Sequence, residues 1–246
     1  MVAHPGHELR LHGWLEMARP VVFVLTDGSG RSGKSRLYRT SEILNAAGAR
    51  PGSIYGRYSD VEVYRAILER NFAFFFDLTE EFAGALLAEK SNFVVGDSIE
   101  GYNPVHDVCR LVINGAVTIA RKQNHPIENY DFVVVGAIRD SPDTNVVRIE
   151  LDSVMLEQKL AAAHGYSELD ADVSTIVADE GVQSFKNEYL RPVDDSGDYQ
   201  LADRPFYEVH GEAQVAAGFY DHVLRYREHM LPLAQALTRF ALTGRR

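Results

Sequence analysis

The stretch that most constrains the fold is Val21-Val22-Phe23-Val24-Leu25, five consecutive β-branched, aromatic or aliphatic residues. A strand that is apolar at every position must be covered on both faces, as happens inside a parallel sheet. It ends in a turn, Thr26-Asp27-Gly28-Ser29-Gly30, and a helical pattern follows over residues 34–47, with Gly48 placed to stop it. The alternation recurs. Residues 92–96 form a second short buried strand ending at Asp97. Pro104 then opens a helix whose apolar positions (Val105, Val108, Cys109, Val112, Ile113, Ala116, Val117, Ala120) keep a helical period. Further strands are expected over 132–138 and 146–151, the latter nearer a sheet edge. Residues 1–3 form a very short first strand, followed by a helix over 7–18 that Gly13 weakens. Helices are also expected over 64–68 and 79–89, with 72–76 ambiguous between them.

Strands alternating with helices define an α/β protein with a mostly parallel sheet and helices on both faces. From residue 152 the pattern is helical: 153–164, then 173–189, then 210–242 with an interruption at Pro232. A polar loop over 194–203 lies between the last two. No linker separates domains, so residues 1–246 read as one domain with a helical C-terminal third.

Composition narrows the function classes. The chain is 46% hydrophobic, enough for a substantial core, yet has no apolar run near the ~20 residues that a membrane span requires. It shows no basic start leading into an apolar segment and cleavage site, and its single cysteine, Cys109, forms no internal disulfide. A cytoplasmic protein is the expectation. With 25 basic and 35 acidic residues the net charge is −10, which disfavours nonspecific nucleic-acid binding while leaving room for a local basic patch; neither nucleic acid nor membrane is an expected partner. A small-molecule substrate is the expected partner, and a homo-oligomer is compatible with the composition.

The chemistry gathers where strands end, as it does in open α/β sheets. His4 and His7, separated by the two residues Pro5-Gly6, follow the first strand. Neutral imidazole is the commonest protein ligand for a transition metal, and a turn here lets both rings face one ion. His106, in Glu100-Gly101-Tyr102-Asn103-Pro104-Val105-His106-Asp107, is the expected third ligand. Three protein ligands and an open position describe a catalytic zinc site rather than a structural one. Asp27 ends one buried strand, while Asp97, Glu100 and Asn103 follow another.

These motifs carry a resemblance. His4-Pro5-Gly6-His7-Glu8 looks like a variant of the AHPDDE motif of PIG-L/LmbE-like zinc-dependent N-deacetylases, and Asn103-Pro104-Val105-His106 resembles that family's HPDH motif. Thr26-Asp27-Gly28 matches its TDG turn, and Arg39-Thr40-Ser41-Glu42 ahead of Ala46-Ala47-Gly48 resembles its R-x-x-E…A…G helix. The matches fall in family order across the first half of the chain. The resemblance implies a Rossmann-like fold and removal of an acyl group from an N-acylated amino sugar or related small amide, by attack of metal-activated water. It implies zinc, or another divalent transition metal, held by His4, His7 and His106, with His7 standing where the family has an aspartate. Arg39 and Tyr102 are expected to contact the substrate.

The departures are as informative. Gly6 stands at the family's general base, Asn103 at the histidine that assists at the tetrahedral intermediate, and Val105 at an aspartate. Glu100 or Asp97, then Asp27, is expected to take the proton instead, with Asn103 donating to an oxyanion. Their bland alternative is orientation of a ligand histidine. Without its base the chain also reads as a non-catalytic relative.

A rival motif overlaps this region. Gly28-Ser29-Gly30-Arg31-Ser32-Gly33-Lys34-Ser35 satisfies G-x-x-x-x-G-K-[ST], the phosphate-binding loop, between a strand and a helix. It ranks second, because such a loop usually follows the first strand of its domain and leaves Asp27 without a role. Two denser groups, residues 206–212 and Arg225, Glu228 and His229, read as ion pairs and caps.

Overall fold

In a computed structural model the described residues are all except 31–32, 136–144, 167–172, 175–176, 179–180, 194–198, 202–203 and 246. The chain is an α/β protein with a mostly parallel sheet, helices and a helical C-terminal region. Its contacts cluster into two compact units: Met1–Ser59 with Asp131–Pro192, and Asp60–Tyr130 with Val193–Arg246.

The first unit is built on strand β1 (Val21–Thr26), buried from its second residue onward. It pairs in parallel with β2 (Arg50–Tyr58), while Val2 adds a parallel bridge to Val24. The chain start is thus held beside β1, with Val2 N–H on the Phe23 carbonyl at 2.9 Å and Thr26 N–H on the Ala3 carbonyl at 2.9 Å. The expected N-terminal helix is a 3₁₀ turn, His7–Leu11, running into α1 (His12–Ala18). Helix α2 (Leu37–Ala47) stops at Gly48 in the left-handed conformation, as expected.

Strand β2 has no counterpart among the sequence expectations, because Pro51, Gly52 and Gly56 hide its pattern. Both glycines are there for space. A Cβ on Gly52 would collide with the Phe23 ring, and one on Gly56 with Leu37, where φ is also +59°. Further along, β5 (Val147–Glu150) pairs antiparallel with β6 (Asn187–Pro192), and α6 (Ser153–His164) is capped by the Asp152 carboxylate. A helix over 173–189 is therefore corrected at its end. A 3₁₀ turn, Val182–Phe185, leads into strand, because Glu188 pairs across the ladder with Ile149 and its side chain is buried on backbone N–H groups.

In the second unit, α3 (Asp60–Leu68) precedes α4 (Phe72–Ala88), which absorbs the ambiguous 72–76 run. Asn71 accepts the Phe74 N–H and so starts the helix ahead of the aromatic residues. Strand β3 (Phe93–Asp97) feeds α5 (Pro104–Lys122), buried on nearly every face as its apolar periodicity demands. Helix α5 packs on α4, where Gly115 lets Thr79 approach closely. Strand β4 is Glu128–Phe132, earlier than expected, and the rest of the expected 132–138 strand lies partly outside the described residues.

The expected helix over 210–242 is two helices. Helix α7 (Phe206–Ala216) ends where Gly218 turns left-handed and Phe219 N–H bonds to the Gln214 carbonyl. A π-turn, Tyr226–Met230, then leads into α8 (Leu231–Thr243). Pro232 sits in the first turn of α8, so it begins a helix rather than interrupting one. No described helix is long and apolar enough to cross a membrane.

Candidate functional site

The first unit brings two expected ligands together. Because residues 1–3 run alongside β1, His4 arrives beside Thr26, and its Nδ1 lies 2.8 Å from Thr26 Oγ1. The Thr26 hydroxyl has one hydrogen, which it donates to the Ala3 carbonyl at 3.1 Å. The imidazole must therefore donate through Nδ1, which in the neutral ring places the lone pair on Nε2. The His7 ring meets that of His4 edge-on, with centroids 5.2 Å apart. Two rings whose nitrogens share one zinc ion at about 2.1 Å have centroids at a comparable separation. An edge-on contact at this separation is also the geometry of an ordinary aromatic pair.

The turn between the two rings is glycine-specific. Gly6 has φ 105° and ψ −21°, and its N–H is held by Glu8 Oε2 at 2.8 Å. The position at which the sequence resemblance puts a general base therefore has a backbone conformation in which an aspartate would be strained. Glu8, itself buried, also accepts the Tyr166 hydroxyl at 2.7 Å, and Tyr166 lies 2.6 Å from the Thr40 hydroxyl. Asp27 follows β1. Its Oδ1 accepts the Ser29 N–H at 2.9 Å and its carbonyl accepts the Arg36 N–H. Arg39 is paired with Glu42 at 2.8 Å on an exposed helix face.

The glycine-rich turn has Gly28, Gly30 and Gly33 at positive φ, and Arg36 Nε donates to the Gly28 carbonyl at 2.8 Å. Arg31 and Ser32 lie outside the described residues. Helix α2 starts at Leu37, three residues beyond Lys34, whereas a phosphate loop needs the helix N-terminus at the lysine itself.

The second unit holds the other expected residues at the carboxyl end of β3. Asp97 is the last residue of that strand and fully buried, and His106 is buried in the first turn of α5. Asn103 caps α5 by accepting the Val105 N–H at 2.9 Å, and Tyr64 donates to the same oxygen at 3.4 Å. Its amide oxygen is thus engaged in starting the helix. Glu100 Oε1 accepts the Ser98 hydroxyl at 3.0 Å. Tyr102 is exposed and stacks on Phe206, centroids 4.6 Å apart and ring planes nearly parallel.

The carboxylate that organises this loop is Asp107, which sequence reasoning passed over. It accepts the Glu100 and Gly101 N–H groups at 3.0 and 3.2 Å and the Tyr199 hydroxyl at 3.0 Å. Burial raises its pKa to about 6, against the opposing pull of those hydrogen bonds. The buried Arg110 guanidinium fixes the strand end by donating to the Asp97 carbonyl at 2.6 Å, Asn129 at 2.9 Å and the Tyr130 carbonyl at 2.9 Å.

His4, His7, Asp27 and Arg39 belong to the first unit, and Asp97, Glu100, Tyr102, Asn103 and His106 to the second. Among the described residues no group of three or more His, Cys, Asp or Glu side chains is arranged to hold a metal ion. Asp107 sat in plain view beside His106. Tyr166 carried no signal, because its partner Glu8 is 158 positions away. No protein-family model, curated protein or solved structure matches the chain.

Proposed function

We propose that the chain is a metal-dependent hydrolase that removes an acyl group from an N-acylated amino sugar or a related small amide. The observation that carries this reading is the Thr26–His4 hydrogen bond at the end of a buried strand, with the His7 imidazole edge-on to the His4 ring. A histidine held in this way by its other ring nitrogen is the usual form of a metal ligand. The ordered resemblance of the motifs supplies the reaction class.

His4 and His7 would hold the ion. Zinc bound there would polarise the acyl carbonyl and lower the pKa of water. The proton has to be accepted by a carboxylate, and Gly6 supplies none. Glu8 does not serve either, since both its oxygens already accept hydrogen bonds within the fold. Of Glu100, Asp97 and Asp27, our choice for the base is Asp27, because it directly follows Thr26, whose hydroxyl meets His4.

The test is acetate release from a panel of N-acetyl amino sugars by the zinc-loaded protein. His4→Ala and Asp27→Asn are each expected to lower turnover by about a hundredfold or more. No release by the wild-type chain across the panel, or release unchanged in both variants, would remove the hydrolase reading.

A further inference from the structure

We infer that Tyr166 is a positioning residue for the His4–His7 pair, acting through Glu8. The inference rests on the reading that the two imidazoles jointly hold a cation. The hydrogen bonds have one direction. A carboxylate cannot donate, so the Tyr166 hydroxyl gives its hydrogen to Glu8 Oε1, at 2.7 Å. The Thr40 hydroxyl must then donate to the Tyr166 oxygen, at 2.6 Å. On its other side Glu8 Oε2 receives the Gly6 N–H at 2.8 Å. The chain therefore runs from Thr40 through Tyr166 to Glu8, where it meets the backbone of Gly6.

Gly6 is the residue that sets how His4 and His7 face each other. It lies between them, it has φ 105°, and the turn around it is closed by the His7 N–H on the His4 carbonyl at 3.4 Å, a long bond. So weak a closure leaves the Glu8 carboxylate as the stronger tie on the turn. Thr40 and Tyr166 are fully buried and Glu8 nearly so, which shields these bonds from competing water. The Tyr166 hydroxyl pKa is raised by that burial and by Glu8, so it remains a donor across the working pH range. A tyrosine at the end of α6 thereby fixes the rotamer of a carboxylate next to His7, and that carboxylate fixes the backbone between the two rings.

The experiment uses the full chain with Tyr166→Phe, which keeps the ring and removes the hydroxyl, and Thr40→Val, which removes only the outer donor. Zinc affinity and the hydrogen-exchange rate of the Gly6 amide are measured on folded protein. Tyr166→Phe is expected to weaken zinc binding about tenfold and to speed Gly6 exchange by a similar factor, leaving the β1 amides unchanged. Thr40→Val is expected to shift both in the same direction by less, and it carries the test should Tyr166→Phe not fold. Gly6 exchange and zinc affinity both within twofold of wild type would overturn the inference, as would faster Gly6 exchange with unchanged zinc affinity. If the wild-type chain takes up no zinc, the metal reading fails separately, and Gly6 exchange alone decides whether the clamp exists.

Discussion

At the scale of single residues, two positions make opposite demands on the same chemistry. Gly6 stands where a general base is expected, and its backbone excludes one. Restoring the acid by Gly6→Asp places an L residue at φ 105° and is expected to cost about 1–3 kcal/mol of stability without raising turnover. Urea unfolding and the acetate-release assay read both effects, and a stable, more active variant would show that the turn tolerates the side chain. Asp107 is the converse, a carboxylate pushed up to about 6 by burial from an ordinary value of 3.8. A folded pKa above the unfolded one means that the native state holds the proton more tightly. The stability so contributed is complete below about pH 4 and is lost as pH rises through about 6, to a total of about 3 kcal/mol. Wild type minus Asp107→Asn unfolding free energies, measured from pH 4 to 7, should fall along that curve. A difference independent of pH would contradict it.

At the scale of elements, a buried ion pair ties the N-terminal turn to α6 and β6. Lys159 of α6 donates to Glu188 of β6 at 2.8 Å and to the Arg10 carbonyl at 3.1 Å, and Glu188 accepts the Gly13 and Trp14 N–H groups, both at 2.9 Å. Both charged ends are almost wholly buried, at 5% and 0% side-chain exposure. Burial lowers the Lys159 pKa, and Glu188 opposes that shift. Deleting one partner of such a pair strands the other, so Lys159→Met should destabilise the protein by about 3–5 kcal/mol in denaturant unfolding. A loss under about 1 kcal/mol would mean that Glu188 is adequately held by the two backbone amides alone. This pair also explains why a helical pattern over 173–189 gives way to strand. The side chain of Glu188 is needed on the face that meets α1, a requirement that neighbouring residues cannot announce.

At the scale of the whole molecule, what was legible is what depends on nearest neighbours. The apolar run 21–25, the proline at 104 with the periodic residues behind it, and Gly48 as a stop each appear where their local chemistry puts them. Strand β2 was not legible, because Gly52 and Gly56 are chosen for the Phe23 ring and Leu37, which come from elsewhere in the chain. The C-terminal helices were divided in the wrong place for a similar reason. Pro232 is conspicuous, but the turn at Gly218 depends on a hydrogen bond to Gln214. The candidate site divides in the same way. His4 and His7 were visible as a pair three positions apart, and the reach from His106 to that pair was an expectation about convergence. The partners that give the pair its form, Thr26 on His4 and Tyr166 on Glu8, lie 22 and 158 positions away.

The central claim is that His4 and His7 hold one divalent transition-metal ion, and cobalt(II) or zinc(II) titration of the metal-free full chain tests it most directly. The account predicts one ion per chain, with affinity lowered at least about tenfold in His4→Ala and in His7→Ala and a smaller loss in Thr26→Val. Absence of uptake by the wild-type chain, or uptake indifferent to both histidine substitutions, would contradict it.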